Sequence, residues 1–238
     1  MSQLAGRTAL VSGASRGIGL EVARLLASDG ARVAMIARSE ADLRARAAEI
    51  GNNAQAFGCD VADAAAVQSI ASRITTAFDG APDVIVNNAG NFRLATIEET
   101  EPDAFRDALD VNLVAPFLLV RAFLSDMRAR RRGHIVTIGS IADRMTFPEN
   151  GAYAASKFGL RALHEVLRAE LRGTGVRATL VSPGPVDTSL WDGIDTDARP
   201  GFTPRREMLS ARAVAEAVRY AVLQPEDVNV DELRLSRS

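Results

Sequence analysis

The chain has a single cysteine, a single lysine and almost no net charge, and each shortage excludes something. Cys59 alone can form neither an internal disulfide nor a cysteine-based zinc site. Twenty-eight basic residues against thirty acidic ones leave a formal charge of −2. No global field therefore draws in nucleic acid or an anionic lipid surface, and any bound anion has to be held by local groups. Apolar runs are short: VNLVAPFLLV, residues 111–120, falls well below the roughly 20 residues that cross a bilayer, so no membrane association is expected. The opening MSQLAGRTALVSG has no basic-then-apolar leader, and with one thiol in the chain the reducing cytoplasm is the expected compartment. His134 and His164 lie beside apolar residues with no carboxylate or cysteine at ligand spacing, so they are read as structural and no metal is expected.

What is present is an ordinary globular balance, 47% apolar and 24% charged over 238 residues, enough for one well-buried domain covering 1–238. Short β-branched runs bounded by Gly, Asp or Asn alternate with longer segments of helical period. The pattern predicts strands at 8–12, 32–37, 54–58, 84–87, 134–139, 177–182 and 233–235. Helices are predicted at 17–28, 39–50, 102–132 and 152–172, with Ser39 as an N-cap and Asp42 in the first turn it caps. Continuous apolar strands joined by helices imply an α/β fold: a doubly wound (Rossmann) seven-stranded parallel sheet with helices on both faces, a three-layer αβα sandwich. Residues 189–210 carry Gly193, Pro200, Gly201 and Pro204 among acidic residues with little periodicity, and read as a substrate lid.

The first strand runs directly into SGASRGIG, which sets Gly13, Gly17 and Gly19 where a strand turns into a helix. Such a turn lets backbone approach a pyrophosphate, and the helix N-terminus stabilises the anion. At the end of the second strand a ribose-binding acid would mark NAD; Ala37, Arg38 and Ser39 stand there instead. Arg38, with Arg16 from the glycine turn, suits a 2′-phosphate, so NADP(H) is the cofactor expected.

Further on, Ser140 ends the fifth strand, and Tyr153 and Lys157 lie four apart near a helix start, hence on one face. A phenol has an ordinary pKa of about 10, and a neighbouring ammonium is expected to lower it toward useful acid/base chemistry. The only lysine falls four residues after one of only two tyrosines, a coincidence of roughly one in a hundred by position counting.

These segments together resemble the short-chain dehydrogenase/reductase family in its classical form, over essentially the whole chain. The matching residues are SGASRGIG, CDV at 59–61, NNAG at 87–90, VNL around Asn112, Ser140, YAASK at 153–157 and SPGPVDT at 182–188; Ser12 stands where the family usually has threonine. The resemblance implies a catalytic set of Asn112, Ser140, Tyr153 and Lys157, with Asn112 holding a relay water toward Lys157. It implies a cofactor site of Gly13, Ser15, Arg16, Gly17, Ile18, Gly19, Arg38, Ser39, Asp60, Val61, Asn88, Ala89, Gly90, Tyr153, Lys157, Pro183, Gly184, Val186 and Thr188. It further implies hydride exchange with a small carbonyl or alcohol substrate, in a homodimer or homotetramer.

Two alternatives are carried forward. One is a β-ketoacyl carrier-protein reductase that docks its acidic partner on Arg128, Arg130, Arg131 and Arg132, aided by Arg172; the plainer reading of that cluster is charge complementing a helix C-terminus, with Gly133 ending the helix. The other is a catalytically silent NADP-binding sensor or scaffold. For the substrate pocket, Phe147, Leu190, Trp191, Phe202 and Met208 suggest a partly apolar ligand.

Overall fold

The computed structural model describes residues 3–238. Seven parallel strands form one sheet: β1 (Thr8–Ser12), β2 (Arg32–Ala37), β3 (Ala54–Gly58), β4 (Val84–Asn87), β5 (Gly133–Ile138), β6 (Val176–Pro183) and β9 (Glu232–Leu235). Their order is β3-β2-β1-β4-β5-β6-β9, so the chain reverses its direction of travel between β1 and β4. A two-residue pair, β7 (Val186–Asp187) and β8 (Leu209–Ser210), lies outside the sheet and was not anticipated. The predicted strand bounds hold to within a residue, β5 starting at Gly133 and β6 extending one residue at each end.

The central strands carry apolar side chains on both faces because both are covered: β1, β4 and β5 are buried along their whole length. On one face pack α1 (Gly17–Ser28), α2 (Glu40–Ile50) and α7 (Ala211–Val222), around Val11, Leu26, Met35, Val136 and Val218. On the other lie α3 (Ala64–Phe78), α5 (Ala115–Ala129) and α6 (Gly151–Glu170), around Leu10, Ile74, Phe123, Met127 and Ile135. The helices α3 and α7 were missing from the predicted set. Both were legible: Asp63 caps α3 by accepting from Ala65 N and Ala66 N, and Val67, Ile70, Ile74 and Phe78 recur on its buried side.

The long helix predicted at 102–132 is α4 (Pro102–Leu109) running into α5 through a π-helical turn, Asp110–Val114. This wide turn holds Asn112, fully buried, at the catalytic end of the helix. The run Pro102–Ala129 also corrects the reading of the apolar segment, because as a 28-residue helix it is long and apolar enough to cross a bilayer by length and composition. Its apolarity has a packing cause in part: Leu119, Phe123 and Met127 are at most 2% exposed against the sheet.

Gly133 does not end α5. Arg131 takes the left-handed turn there, at φ 52°, and Gly133 opens β5, where a Cβ would stand 2.8 Å from Met127 Sδ. The arginines of this cluster are engaged: Arg128 donates to Glu170 O, Arg130 to Ala81 O and Arg131 to Gly173 O, while Arg132 meets Asp83 at 2.9 Å. They cap carbonyls at the amino-terminal edge of the sheet, which weakens their reading as a docking patch.

Candidate active site

The carboxyl ends of β1, β2, β4, β5 and β6 open onto one crevice of about 1440 Å³. It lies at the topological switch point, where neighbouring crossovers leave in opposite directions and cannot cover the strand ends. Every cofactor contact expected from the sequence lines it except Gly19. Gly19 acts one layer behind: a Cβ there would run into the Gly13 carbonyl oxygen and the Asn88 side chain. Gly13 itself has φ 66° and passes so close to β4 that a Cβ would sit 2.9 Å from Ala89 Cα. The NNAG segment is fastened to this turn by Asn88 Nδ2 donating to Ser12 O at 2.9 Å and by Ser12 Oγ accepting from Asn88 N and Ala89 N. The hydroxyl retained in the one departure from the family pattern is therefore structural.

At the end of the crevice beside β1 and β2, the Arg16 and Arg38 side chains are exposed on the wall with no hydrogen-bonding or ionic partner among the described residues. Arg46, which sequence reasoning missed, reaches the same wall from nearly two helical turns into α2, paired with Glu49 at 2.7 Å. Ser39 lines the wall and also caps α2, accepting from Asp42 N at 3.3 Å. Cys59 lines the crevice as a buried thiol, its pKa pushed up to about 11 first by burial and then by Asp60 and Asp63, so it is a poor nucleophile.

At the other end stand the side chains with acid/base chemistry. Ser140 lies two residues past the end of β5 and caps the short turn Ile141–Asp143, its Oγ accepting from Ala142 N at 3.1 Å. Tyr153 and Lys157 come from the first turns of α6 and face the same space. Lys157, 5% exposed, donates from Nζ to Ile138 O at 3.0 Å and lies 5.6 Å from the centre of the Tyr153 ring. Burial lowers its pKa to about 8, against the pull of Asp143. The expected lowering of the Tyr153 phenol is not found: burial holds it above its ordinary value, the Ser140 hydrogen bond acts in the opposite direction, and Asp143 adds to the rise. Burial is the first cause of the shift, and it outweighs the Ser140 hydrogen bond.

Asn112 does not line the crevice. Its Oδ1 accepts from Asn91 N at 2.9 Å, and Nδ2 donates to Asn91 O and Ser156 Oγ at 3.1 and 3.0 Å. The Asn112 side chain is thus a strut between the loop after β4 and the helix that carries Tyr153.

Sequence reasoning also missed Asp143. Its side chain is fully buried, accepts from Ser182 Oγ at 2.5 Å and pairs with Arg144 at 2.7 Å. Arg144 and Arg161 both reach Glu232 on β9, the latter at 3.2 Å. This network ties the turn after Ser140 to β6, α6 and β9. Only contact in three dimensions reveals it, because its members are scattered along the chain.

The segment 189–210 forms two short 3-10 turns, and Arg205 fastens it to Asp187 and Asp192 at 2.6 and 2.9 Å. Met208, expected in the pocket, is 7% exposed and does not line the crevice; Phe92, unremarked in the sequence, does. The two histidines pack on threonine hydroxyls, His134 on Thr179 at 2.8 Å and His164 on Thr137 at 3.0 Å.

Comparison with known proteins places the chain in a family. The family described as short chain dehydrogenase matches residues 7–199. A D-threitol dehydrogenase of Mycolicibacterium smegmatis is 39% identical over 209 residues, 85% of this chain and 80% of that one. A 3-oxoacyl-[acyl-carrier-protein] reductase of Escherichia coli is 34% identical over 218 residues, 90% and 89% of the two chains. Among solved structures, a metagenomic short-chain oxidoreductase in complex with NADP superposes with a TM-score of 0.86 at 34% identity, over 100% of this chain and 99% of that one.

Proposed function

Because this chain belongs to the short-chain dehydrogenase family, we propose that it is an NADP-dependent oxidoreductase acting between a ketone or aldehyde and the corresponding alcohol, with Tyr153 as the acid/base. The reading rests on one convergence: Ser140, Tyr153 and Lys157 share a crevice whose wall also carries two guanidiniums without a partner among the described residues.

The residues present fit the cofactor. The crevice exceeds the about 300–1,000 Å³ of a pocket for one small ligand, leaving room for a dinucleotide and a substrate. The glycine turn opens α1 with free N–H groups, and Arg16 and Arg38 suit a 2′-phosphate where an NAD site would place an acid. When bound, NADPH supplies the hydride. Ser140 hydrogen-bonds the substrate oxygen and orients it, and Tyr153 delivers the proton to that oxygen. A phenol held above its ordinary pKa by burial is protonated at neutral pH, which favours the reducing direction. Lys157, with a pKa near 8, retains a charge at neutrality that can reach the cofactor ribose. The intact acid/base set argues against a silent sensor, which has no use for a buried phenol.

The carrier-protein reductase is the second reading, favoured by the 34% identity to the Escherichia coli enzyme. Against it stand the engaged side chains of the Arg128 to Arg132 cluster. A homo-oligomer accompanies either reading. Phe117 on α5 is 46% exposed, and Phe158 and Val166 on α6 are 42% and 56% exposed, an apolar face suited to a second copy.

The test is loss of reduced-nicotinamide absorbance with a panel of simple ketones, aldehydes and 3-oxoacyl thioesters. Turnover with NADPH that disappears in Tyr153→Phe supports the proposal. Absence of turnover on the whole panel, with either nicotinamide, contradicts it.

A further inference from the structure

Aromatic residues make up only 5% of the chain, twelve in all, yet Phe92, Phe147, Tyr153, Trp191 and Phe202 line this one crevice. Four of them form a chain of edge-on contacts away from the acid/base group. The Phe92 ring meets Tyr153 at 4.9 Å and 77°, Trp191 meets Phe92 at 5.0 Å and 61°, and Phe202 meets Trp191 at 6.4 Å and 87°. Each is held by a rigid neighbour. Phe92 follows the NNAG segment, which Asn112 straps to α6. Trp191 donates its indole N–H to Val186 O at 3.1 Å, so its polar atom is turned to the backbone beside the expected nicotinamide seat and its carbon face is left for the crevice.

Other apolar side chains line the crevice as well. Met145, Phe147 and Leu190 are 49%, 44% and 38% exposed and line the same opening. An exposed apolar residue by itself is ordinary, but three around one mouth mark a ligand surface. Hydroxyls line the crevice at Thr188, Ser189 and Thr203 as well, Thr188 Oγ1 being taken up in accepting from Leu190 N, while those beside Lys157 at the acid/base corner are on Ser140 and Tyr153. Of the charged residues at the mouth, Glu149 is paired with Arg199, and Arg93 is exposed.

From this geometry we propose that the substrate is an aryl ketone, or the corresponding secondary aryl alcohol, its ring held against Phe92, Trp191 and Phe202; the proposal rests on the oxidoreductase reading above. A ring gains the edge-to-face contacts these walls offer. A hydroxylated chain would lose water from its hydroxyls against carbon surfaces that return no hydrogen bond. In the reducing direction the carbonyl carbon gains the hydride, its oxygen gains the Tyr153 proton, and NADPH leaves as NADP⁺. Phe92 and Trp191 are on this account specificity-determining residues.

Trp191 is the only tryptophan in the chain, so intrinsic emission reports on this wall directly. Two probes decide the matter, acetophenone and 1,3-dihydroxyacetone. With NADPH, acetophenone is expected to show a kcat/KM about 100-fold above that of dihydroxyacetone. Trp191→Ala should lower the acetophenone value about 10–100-fold, mainly through KM, and Trp191→Phe should restore most of it. Equal or better use of dihydroxyacetone overturns the substrate class while leaving the oxidoreductase reading intact. If neither ketone turns over, the oxidoreductase reading is decided by the wider panel above, and binding decides the present one. In the presence of NADP⁺, a saturable change in Trp191 emission on adding acetophenone and none on adding dihydroxyacetone supports the aryl site; no response to acetophenone overturns it.

Discussion

At the amino-terminal edge of the sheet Arg132 meets Asp83 at 2.9 Å, with Arg130 and Arg7 at 3.9 and 4.0 Å; at the carboxyl edge Arg16 and Arg38 face the crevice with no partner among the described residues. The same side chain serves two purposes. Below, guanidiniums neutralise a buried carboxylate and cap carbonyls left at strand and helix ends, as Arg177 does for Gln224 O and Val228 O. Above, they wait on a wall that also presents the N-terminus of α1. In a chain with twenty-seven arginines, residue type says little about function, and the presence or absence of an internal partner says much.

Substitutions at the two edges should therefore separate activity from stability. The largest effect is expected from Tyr153→Phe, a loss of about 10²–10⁴ in kcat with little change in the urea midpoint, read by steady-state rates and denaturation side by side. A marked drop in stability would make Tyr153 a packing residue first and an acid second.

Between the edges, His164 offers a contrast that is purely about stability. Burial lowers its pKa to about 4 from an ordinary value near 6.5, and its Nε2 has no partner among the described residues. The unfolded chain takes up a proton in that interval and the folded chain does not. Stability is therefore full above about pH 6.5 and falls by about 3 kcal/mol as the pH drops toward 4. Urea unfolding across that range should show the slope in the native chain and a shallower one in His164→Gln. The buried His134, also displaced downward by burial, adds in the same direction.

Asp83→Asn should cost about 1–3 kcal/mol, since it strips charge from bonds to Thr8 N and to the surrounding guanidiniums. Nicotinamide affinity should not move. A change in NADPH binding in this variant would break the division between the two ends.

Much of this was legible in the sequence, for physical reasons that can be named. The glycine turn, NNAG and Tyr153 with Lys157 are contiguous segments whose spacing already encodes geometry, and they converge in the structure. Strand positions were legible because buried parallel strands are unbroken apolar runs. Asp143 was not, since its meaning depends on Ser182 and Glu232, far along the chain. Phe92 was not, because an aromatic after a loop gains a role only once Trp191 is seen against it. The direction of the Tyr153 shift was misjudged for a related cause: four residues of spacing put Lys157 on the same helix face but do not reveal how the fold buries the phenol, and burial is what raises it.

The smallest of the expected effects bears most directly on the contrast between the two edges. NADPH and NADH are titrated into the purified protein and into Arg38→Asp, following nicotinamide fluorescence. The account predicts NADPH binding about 10–100-fold tighter than NADH in the native chain, as two charge-assisted contacts to a phosphate would give, and a reversal of that order in the variant. Equal affinity for the two nicotinamides in the native chain, or a preference that Arg38→Asp leaves unchanged, would contradict it.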